Sequence, residues 1–138
     1  QWQGLQAIWP HKKLIVTGSA HIRCDENWLR EAFMNLLKNA CEHTADDGEI
    51  RVQLDRTEAA FFCVIEDNGG GVSPDELPKL FRRFYRAQHQ NKNGAGIGLA
   101  IVKEIIQRHH GNITAENGKH GLKMTISMPM LDRNLTNS

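Results

Sequence analysis

Between Trp28 and Cys41 the apolar residues come in pairs four apart: Trp28 and Leu29, Ala32 and Phe33, Leu36 and Leu37, Ala40 and Cys41. That spacing predicts a helix with a broad apolar stripe, which is stable only when another element covers it. Asn35 and Asn39 share one flank beside the stripe, with Glu31 and Glu42 on nearly the same line at about 100° per residue. An amide costs helix propensity, and where it is buried its polar atoms need partners. An isolated N-x-x-x-N pair reads first as boundary residues bonded to nearby backbone. The segments downstream give this pair a second meaning.

At 138 residues the chain is long enough for one domain with a single core. Lys plus Arg number 17 against 16 Asp plus Glu, a net charge of +1, so no basic field marks nucleic acid or anionic lipid as a partner. No apolar run approaches the roughly 20 residues that span a bilayer, and there is no secretory signal, so a soluble piece is expected. The chain opens on Gln1 without an initiator Met and is expected to be part of something longer. Cys24, Cys41 and Cys63 are far apart among apolar neighbours, as buried thiols in a reducing compartment are, and metal or disulfide readings have little support.

In chain order, Trp2, Leu5, Ile8 and Trp9 have helical spacing before Pro10, so residues 1–12 are expected to be a short helix or remnant ahead of the domain. Lys13 to Thr17 reads as a strand, Gly18-Ser19 as a turn, and His21 to Cys24 as the returning partner. Asp25 is the expected cap of the central helix, which runs to about Thr44. After a turn over 45–48, Glu49 to Asp55 alternates apolar and polar residues as a half-buried strand does, and Ala59 to Glu66 is apolar enough for a central strand. Ser73 is expected to cap a short helix from Pro74 to Lys79. Leu99, Ala100, Val102, Ile105 and Ile106 mark an amphipathic helix reaching about His110, with Gly111 as its C′ residue. Asn112 to Glu116 and Leu122 to Met128 form a last antiparallel pair, and 131–138 a frayed tail.

The central strand runs straight into Asp67-Asn68-Gly69-Gly70-Gly71-Val72. Consecutive glycines cost backbone entropy and contribute no packing, so they suit a chain that turns with positive φ or admits a ligand closely; a plain tight turn is the simpler alternative. Asp67 ends a buried strand with an acceptor-only group, able to take a hydrogen bond from the exocyclic amine of adenine and repelling the carbonyl that guanine carries there. Alternatively it bonds the backbone of its own turn. Further on, Phe81 and Phe84 can enter a core while Arg82, Arg83 and Arg86 form a solvated face or neutralise phosphate. The polar run 87–93 cannot bury itself and reads as a mobile loop. It ends in Gly94-Ala95-Gly96-Ile97-Gly98 at the head of a helix, where unpaired N–H groups and the helix dipole make an anion site. Neither G-x-x-x-x-G-K-[ST] nor the G-x-G-x-x-G dinucleotide pattern fits this loop.

In order, then, the chain carries Asn35-Leu36-Leu37-Lys38-Asn39-Ala40, Asp67-Asn68-Gly69-Gly70-Gly71, Phe81-Arg82-Arg83-Phe84-Tyr85-Arg86 and Gly94-Ala95-Gly96-Ile97-Gly98-Leu99. Each is common alone; four in this order with these gaps are specific. From about Lys13 to Pro129 the chain resembles the catalytic ATP-binding domain of bacterial sensor histidine kinases, with its N box, first glycine box, F box and second glycine box. That fold is shared with gyrase-type topoisomerases, chaperone ATPases and mismatch-repair ATPases. The resemblance implies an α+β protein: a two-layer α/β sandwich of the Bergerat type, with three helices on one face of a mixed, mostly antiparallel sheet, over 13–130. It implies ATP and Mg2+ as cofactors. By position, Asn39 would ligand Mg2+ through its amide oxygen and Asn35 would line the phosphate side, the two forming the catalytic pair. Asp67 would bind the adenine amine, with Gly69 and Gly71 giving the ring room. A lid would run from about Arg86 to Ala95, with Lys92 or an arginine such as Arg86 supplying charge. Gly94, Gly96, Ile97, Gly98 and Leu99 would bring their helix N-terminus to the phosphates.

The implied reaction is transfer of the γ-phosphate to a histidine on the dimerisation domain of the same kinase, in two-component signal transduction. The implied partners are that domain, in a homodimeric parent, and indirectly a response regulator. Nucleic acid and membrane contact are not implied for this fragment, which would be the cytoplasmic domain of an inner- or plasma-membrane sensor. Asn35 stands where topoisomerase and chaperone relatives usually have a water-activating glutamate, so transfer to water is disfavoured. None of the seven histidines lies in the H-E-x-x-x-P pattern of the family's phospho-acceptor. One departure concerns Glu42 and His43, which replace the Lys and Tyr of many members; Glu42→Lys is expected to tighten Mg-ATP binding. Two alternatives stand beside this reading: a non-catalytic nucleotide-binding regulatory module, and an anti-sigma-type serine kinase.

Overall fold

Alternation along the strands decides which face of the sheet is buried. In β2 (Glu49–Arg56) Ile50 and Val52 are buried while Arg51, Gln53 and Asp55 are exposed, and in β3 (Ala60–Asp67) Phe61, Cys63, Ile65 and Asp67 all turn inward. The computed structural model describes residues 13–18, 26–44, 48–82 and 98–129. Its five strands run in the order β1-β2-β3-β5-β4, with β1 (Lys13–Thr17), β4 (Asn112–Asn117) and β5 (Leu122–Pro129) completing the set. All pairings are antiparallel except β1 with β2, so the sheet is mixed and mostly antiparallel.

Among the described residues two α-helices cover the inner face. α1 (Glu26–His43) buries Ala32, Leu36, Ala40 and Cys41, and α2 (Gly98–Arg108) buries Leu99, Val102, Ile105 and Ile106. These meet Ile50, Ile65, Leu122 and Ile126 from the sheet, and each such aliphatic side chain contributes about 1.5–3 kcal/mol on leaving water. The outer face is mixed, with Phe62 and Val64 of β3 set among polar and charged neighbours. Along one row the registered residues are Arg51, Glu66, Lys123 and Glu116, alternating in sign across four strands, which suits a surface facing water. Among the described residues no helix is long and apolar enough to cross a membrane.

Two local expectations are corrected, and one strand pairing is added to those expected. β1 pairs in parallel with β2, from Lys13 opposite Glu49 to Thr17 opposite Gln53, and α1 is the crossover between them. Parallel neighbours cannot be joined by a tight turn, so a hairpin reading cannot find this contact. The expected partner strand at 21–24, the helix within 1–12, the cap Asp25, Cys24 and the tail 131–138 lie outside the described residues.

The segment from Pro74 is a turn followed by a single 3-10 turn, Leu77–Lys79, instead of a capped helix. The Ser73 carbonyl accepts the Glu76 N–H at 2.9 Å, and its hydroxyl donates to the Glu76 carboxylate at 3.3 Å, so the side chain caps no backbone donor. Pro78 inside the second turn also forbids the regular bonding of a longer helix.

The left-handed residue after α2 is His110, with φ 63°, and not Gly111. The N–H of His110 bonds the Gln107 carbonyl at 3.0 Å and that of Gly111 bonds Ile106 at 2.8 Å, the pairing of a Schellman turn. Gly111 serves another need. A Cβ there would lie 2.6 Å from the Ser127 carbonyl oxygen and 2.8 Å from Met128 Cγ, so glycine lets the chain pass against β5.

Candidate functional site

Sheet connections collect several elements at one end. α1 ends at His43, β2 begins at Glu49, and Ile50 is registered with Asp67 at the end of β3. Asn39, about one turn before the end of α1, therefore lies toward the end of the sheet where Asp67 stands. α2 leads through the turn at 109–111 into Asn112 at the opposite end, so its first residue, Gly98, points back to the Asp67 end. Two helix termini and one strand end thus converge, and α2 directs its positive dipole end there.

Asn39 and Asp67, 8% and 3% exposed, are the only buried polar side chains among the described residues. Asp67 Oδ1 accepts the N–H of Gly69 at 2.9 Å and that of Leu122 at 3.2 Å. The turn-bonding alternative for this aspartate is thus realised for one oxygen, and a second strand fixes the plane of the carboxylate. Asn35 is half-buried and donates Nδ2 to the Glu31 carbonyl at 2.9 Å, the local reading of an asparagine in a helix. An amide NH2 has two hydrogens, so the second N–H and the oxygen are what Asn35 can offer a ligand. Glu42 is half-buried on the same helix.

The loop after Asp67 turns through Gly70 and Gly71, with φ of 87° and 78°. Gly71 is doubly constrained, since a Cβ there would collide with Asn117 Oδ1. Gly69 does not adopt positive φ; it supplies the N–H that holds Asp67. The loop is latched to two neighbours. Asn68 Oδ1 accepts the Glu49 N–H at 2.9 Å, Gly70 N–H bonds the His120 carbonyl at 3.3 Å, and the His120 N–H bonds Glu66 Oε2 at 3.0 Å. Asn117 holds Val72 through both ends of its amide, with Nδ2 to the Val72 carbonyl at 2.7 Å and Oδ1 to the Val72 N–H at 2.9 Å.

Asn117 and Gly121 are site-shaping residues that sequence reasoning did not single out, because both read as parts of an ordinary turn. Gly121 is buried, and a Cβ on it would lie 2.5 Å from the Asp67 carbonyl oxygen and 2.8 Å from the Gly69 nitrogen. A turn glycine immediately before an apolar strand was the available signal.

Phe81 packs on the core half-buried, with Lys103 Nζ of α2 5.5 Å from its ring centroid. Leu99 is buried in the first turn of α2. The expected lid and phosphate residues Arg86, Lys92, Gly94, Gly96 and Ile97 lie outside the described residues, as do Phe84 and Tyr85. Among the described residues no group of three or more His, Cys, Asp and Glu is placed to hold a metal. Cys41 and Cys63 are buried and not joined in a disulfide, and burial pushes the Cys63 thiol up to about 12. His109 Nδ1 lies 2.8 Å from the Ile105 carbonyl oxygen, a helix-end contact at the far end of the sheet from Asp67.

An acid held by backbone, a left-handed glycine loop and a helix N-terminus thus gather at one end of an α+β sandwich. The chain belongs to the family described as histidine kinase-, DNA gyrase B-, and HSP90-like ATPases, whose model matches residues 24–132. It is 38% identical over 112 residues to the probable sensor kinase SilS of Salmonella typhimurium, covering 79% of this chain and 22% of that protein. It is likewise 38% identical over 115 residues to the phosphate regulon sensor protein PhoR of Pseudomonas aeruginosa, covering 80% and 26%. Among solved structures, the mycobacterial sensor histidine kinase MprB superposes with a TM-score of 0.84 at 25% identity, covering 93% of this chain and 90% of that one. The chain spans about a quarter of the length of these curated relatives.

Proposed function

We propose that this chain binds Mg-ATP through residues 13–130 and donates the γ-phosphate to a histidine on the dimerisation domain of its parent kinase, in two-component signal transduction. One observation carries the reading: Asn39 and Asp67, the two buried polar side chains among the described residues, come from different elements yet belong to the same end of the sheet. Polar side chains set into an otherwise apolar core and gathered at one end of a sheet give a polar ligand fixed points to bond, which is how ligand sites of this kind are built.

Asp67 recognises the adenine amine, with its carboxylate already oriented by the Leu122 and Gly69 amides before any base arrives. Asn39 fits a magnesium ion, which takes few protein ligands beside phosphate oxygens and suits an amide oxygen. The ion supplies neutralising charge when bound. Asn35 lines the phosphate side with its remaining polar groups, and the N-terminus of α2 attracts the phosphates, with Gly94, Gly96, Ile97 and Gly98 leading into it. Lys92 and Arg86 contribute cationic charge from the lid. Phosphoryl transfer relies on positioning and charge stabilisation, which amides, a helix terminus and fixed dipoles provide without a protein nucleophile. With an amide at position 35 in place of a basic carboxylate, water is a poor acceptor. The parent is a homodimeric membrane sensor with this domain in the cytoplasm, and a response regulator receives the phosphate afterwards.

The test is to mix the chain with labelled ATP and a separately produced dimerisation domain. Label on histidine is the expected result. Label on a serine of a partner protein would instead favour the anti-sigma-type kinase, and tight ATP binding without label the regulatory module.

A further inference from the structure

We propose that Asn117 is the positioning residue of the base pocket, setting its preference for adenine by holding the end of the Asp67 loop. This rests on the nucleotide-site reading above. Asn117 ends β4 at the edge of the sheet, yet its side chain reaches a residue 45 positions earlier and bonds both backbone polar groups of that residue, Val72. In an antiparallel ladder, one residue exchanges both N–H and C=O bonds with the residue opposite. The amide of Asn117 copies that exchange with a segment that belongs to no strand.

The surrounding chain is fitted to the clasp. Gly71, with φ 78°, lacks the Cβ that would collide with Asn117 Oδ1 and stand 3.0 Å from its Cγ. Val72 is 8% exposed and packs in the core, so the amide and the packing fix the same point. At the other end Asp67 is held by Leu122 and Gly69. Between the two anchors lie three glycines, the residues with the most backbone freedom to lose. Releasing Val72 leaves the glycines held by the long Gly70–His120 bond and by Gly69 on Asp67 itself, so Gly70 and Gly71 gain freedom relative to the Asp67 carboxylate and the base loses a wall of fixed shape. The phosphate-binding N-terminus of α2 belongs to another element and is left alone. The loss therefore falls on recognition of the base.

The experiment uses the full chain with Asn117→Ala and Asn117→Asp. ATP and GTP affinities are measured by calorimetric titration, together with hydrogen exchange at the Val72 amide and the thermal midpoint. Asn117→Ala is expected to lower ATP affinity about tenfold, the worth of one to two net hydrogen bonds, while GTP affinity stays within about twofold, so that the ATP-to-GTP ratio narrows. Val72 exchange should accelerate. Asn117→Asp keeps an acceptor for the Val72 N–H but loses the donor, so its ratio should fall in between; it gives the same readout should the alanine variant not fold. Proportional losses for ATP and GTP, or no loss for either, would overturn the inference while the unaltered chain still binds ATP. Failure of the unaltered chain to bind ATP would instead remove the nucleotide reading, and the inference with it.

Discussion

Leu122 donates its backbone N–H to Asp67 Oδ1 at 3.2 Å, a bond between residues 55 positions apart. The aspartate is therefore both a structural acceptor and the proposed reader of the base, and substitutions separate the two roles. Asp67→Ala leaves the Leu122 and Gly69 amides without that acceptor and should cost about 2–4 kcal/mol in urea unfolding without nucleotide. Asp67→Asn keeps an oxygen for those amides and offers the base a donor. It should unfold close to the unaltered chain, yet bind ATP roughly ten- to a hundredfold more weakly by calorimetric titration.

Glu42 brings negative charge to the helix that carries Asn35 and Asn39. Glu42→Lys should tighten Mg-ATP by roughly three- to tenfold at low ionic strength, and the gain should shrink as salt screens it. Titration at two salt concentrations checks this; an unchanged or weaker affinity would place Glu42 away from the phosphates.

His110 occupies the left-handed region with a side chain, at φ 63°. His110→Gly should stabilise the fold by about 1 kcal/mol, because glycine adopts this conformation without the penalty of a Cβ. Thermal unfolding measures the gain, and ATP affinity should not change, since the turn lies at the opposite end of the sheet from Asp67.

The Cys63 thiol is pushed from an ordinary 9.0 up to about 12 by desolvation. Below the unfolded value the thiol is protonated in both states and contributes no pH dependence. Above about pH 9 the unfolded chain ionises first, so folded stability falls by about 1.4 kcal/mol per unit until the folded value is reached. Cys63→Ala removes this component. The difference in unfolding free energy between the two chains should therefore change by about 2 kcal/mol from about pH 9 to about pH 10.5. A flat difference would show that Cys63 is not desolvated. Thiol-reactive dyes should label Cys63 only as fast as the core opens.

Periodic elements were legible because burial alone determines them. The stripe from Trp28 to Cys41 and the alternation after Glu49 correspond to α1 and β2, and the apolar run before Asp67 is the central strand β3. Asp67 and Asn39 stood out as polar residues at the edge of apolar patterns, and both are buried. What escaped depends on contacts between distant residues. β1 meets β2 across the whole of α1, Asn117 reaches Val72 over 45 positions, and neither pairing leaves a periodic trace in the chain. A glycine after a helix suggests a left-handed stop, but at Gly111 contact with β5 at Ser127 is what requires it.

The central strand β3 has β2 on one edge and β5 on the other, and β5 is the last of the described strands to leave the ribosome. A nascent chain can close the β2–β3 hairpin early, but until Leu122 emerges the acid at the end of β3 lacks one of its backbone donors and the strand shows a bare edge. Competence to recognise a ligand and protection from edge-to-edge aggregation thus arrive together, at the moment β5 docks.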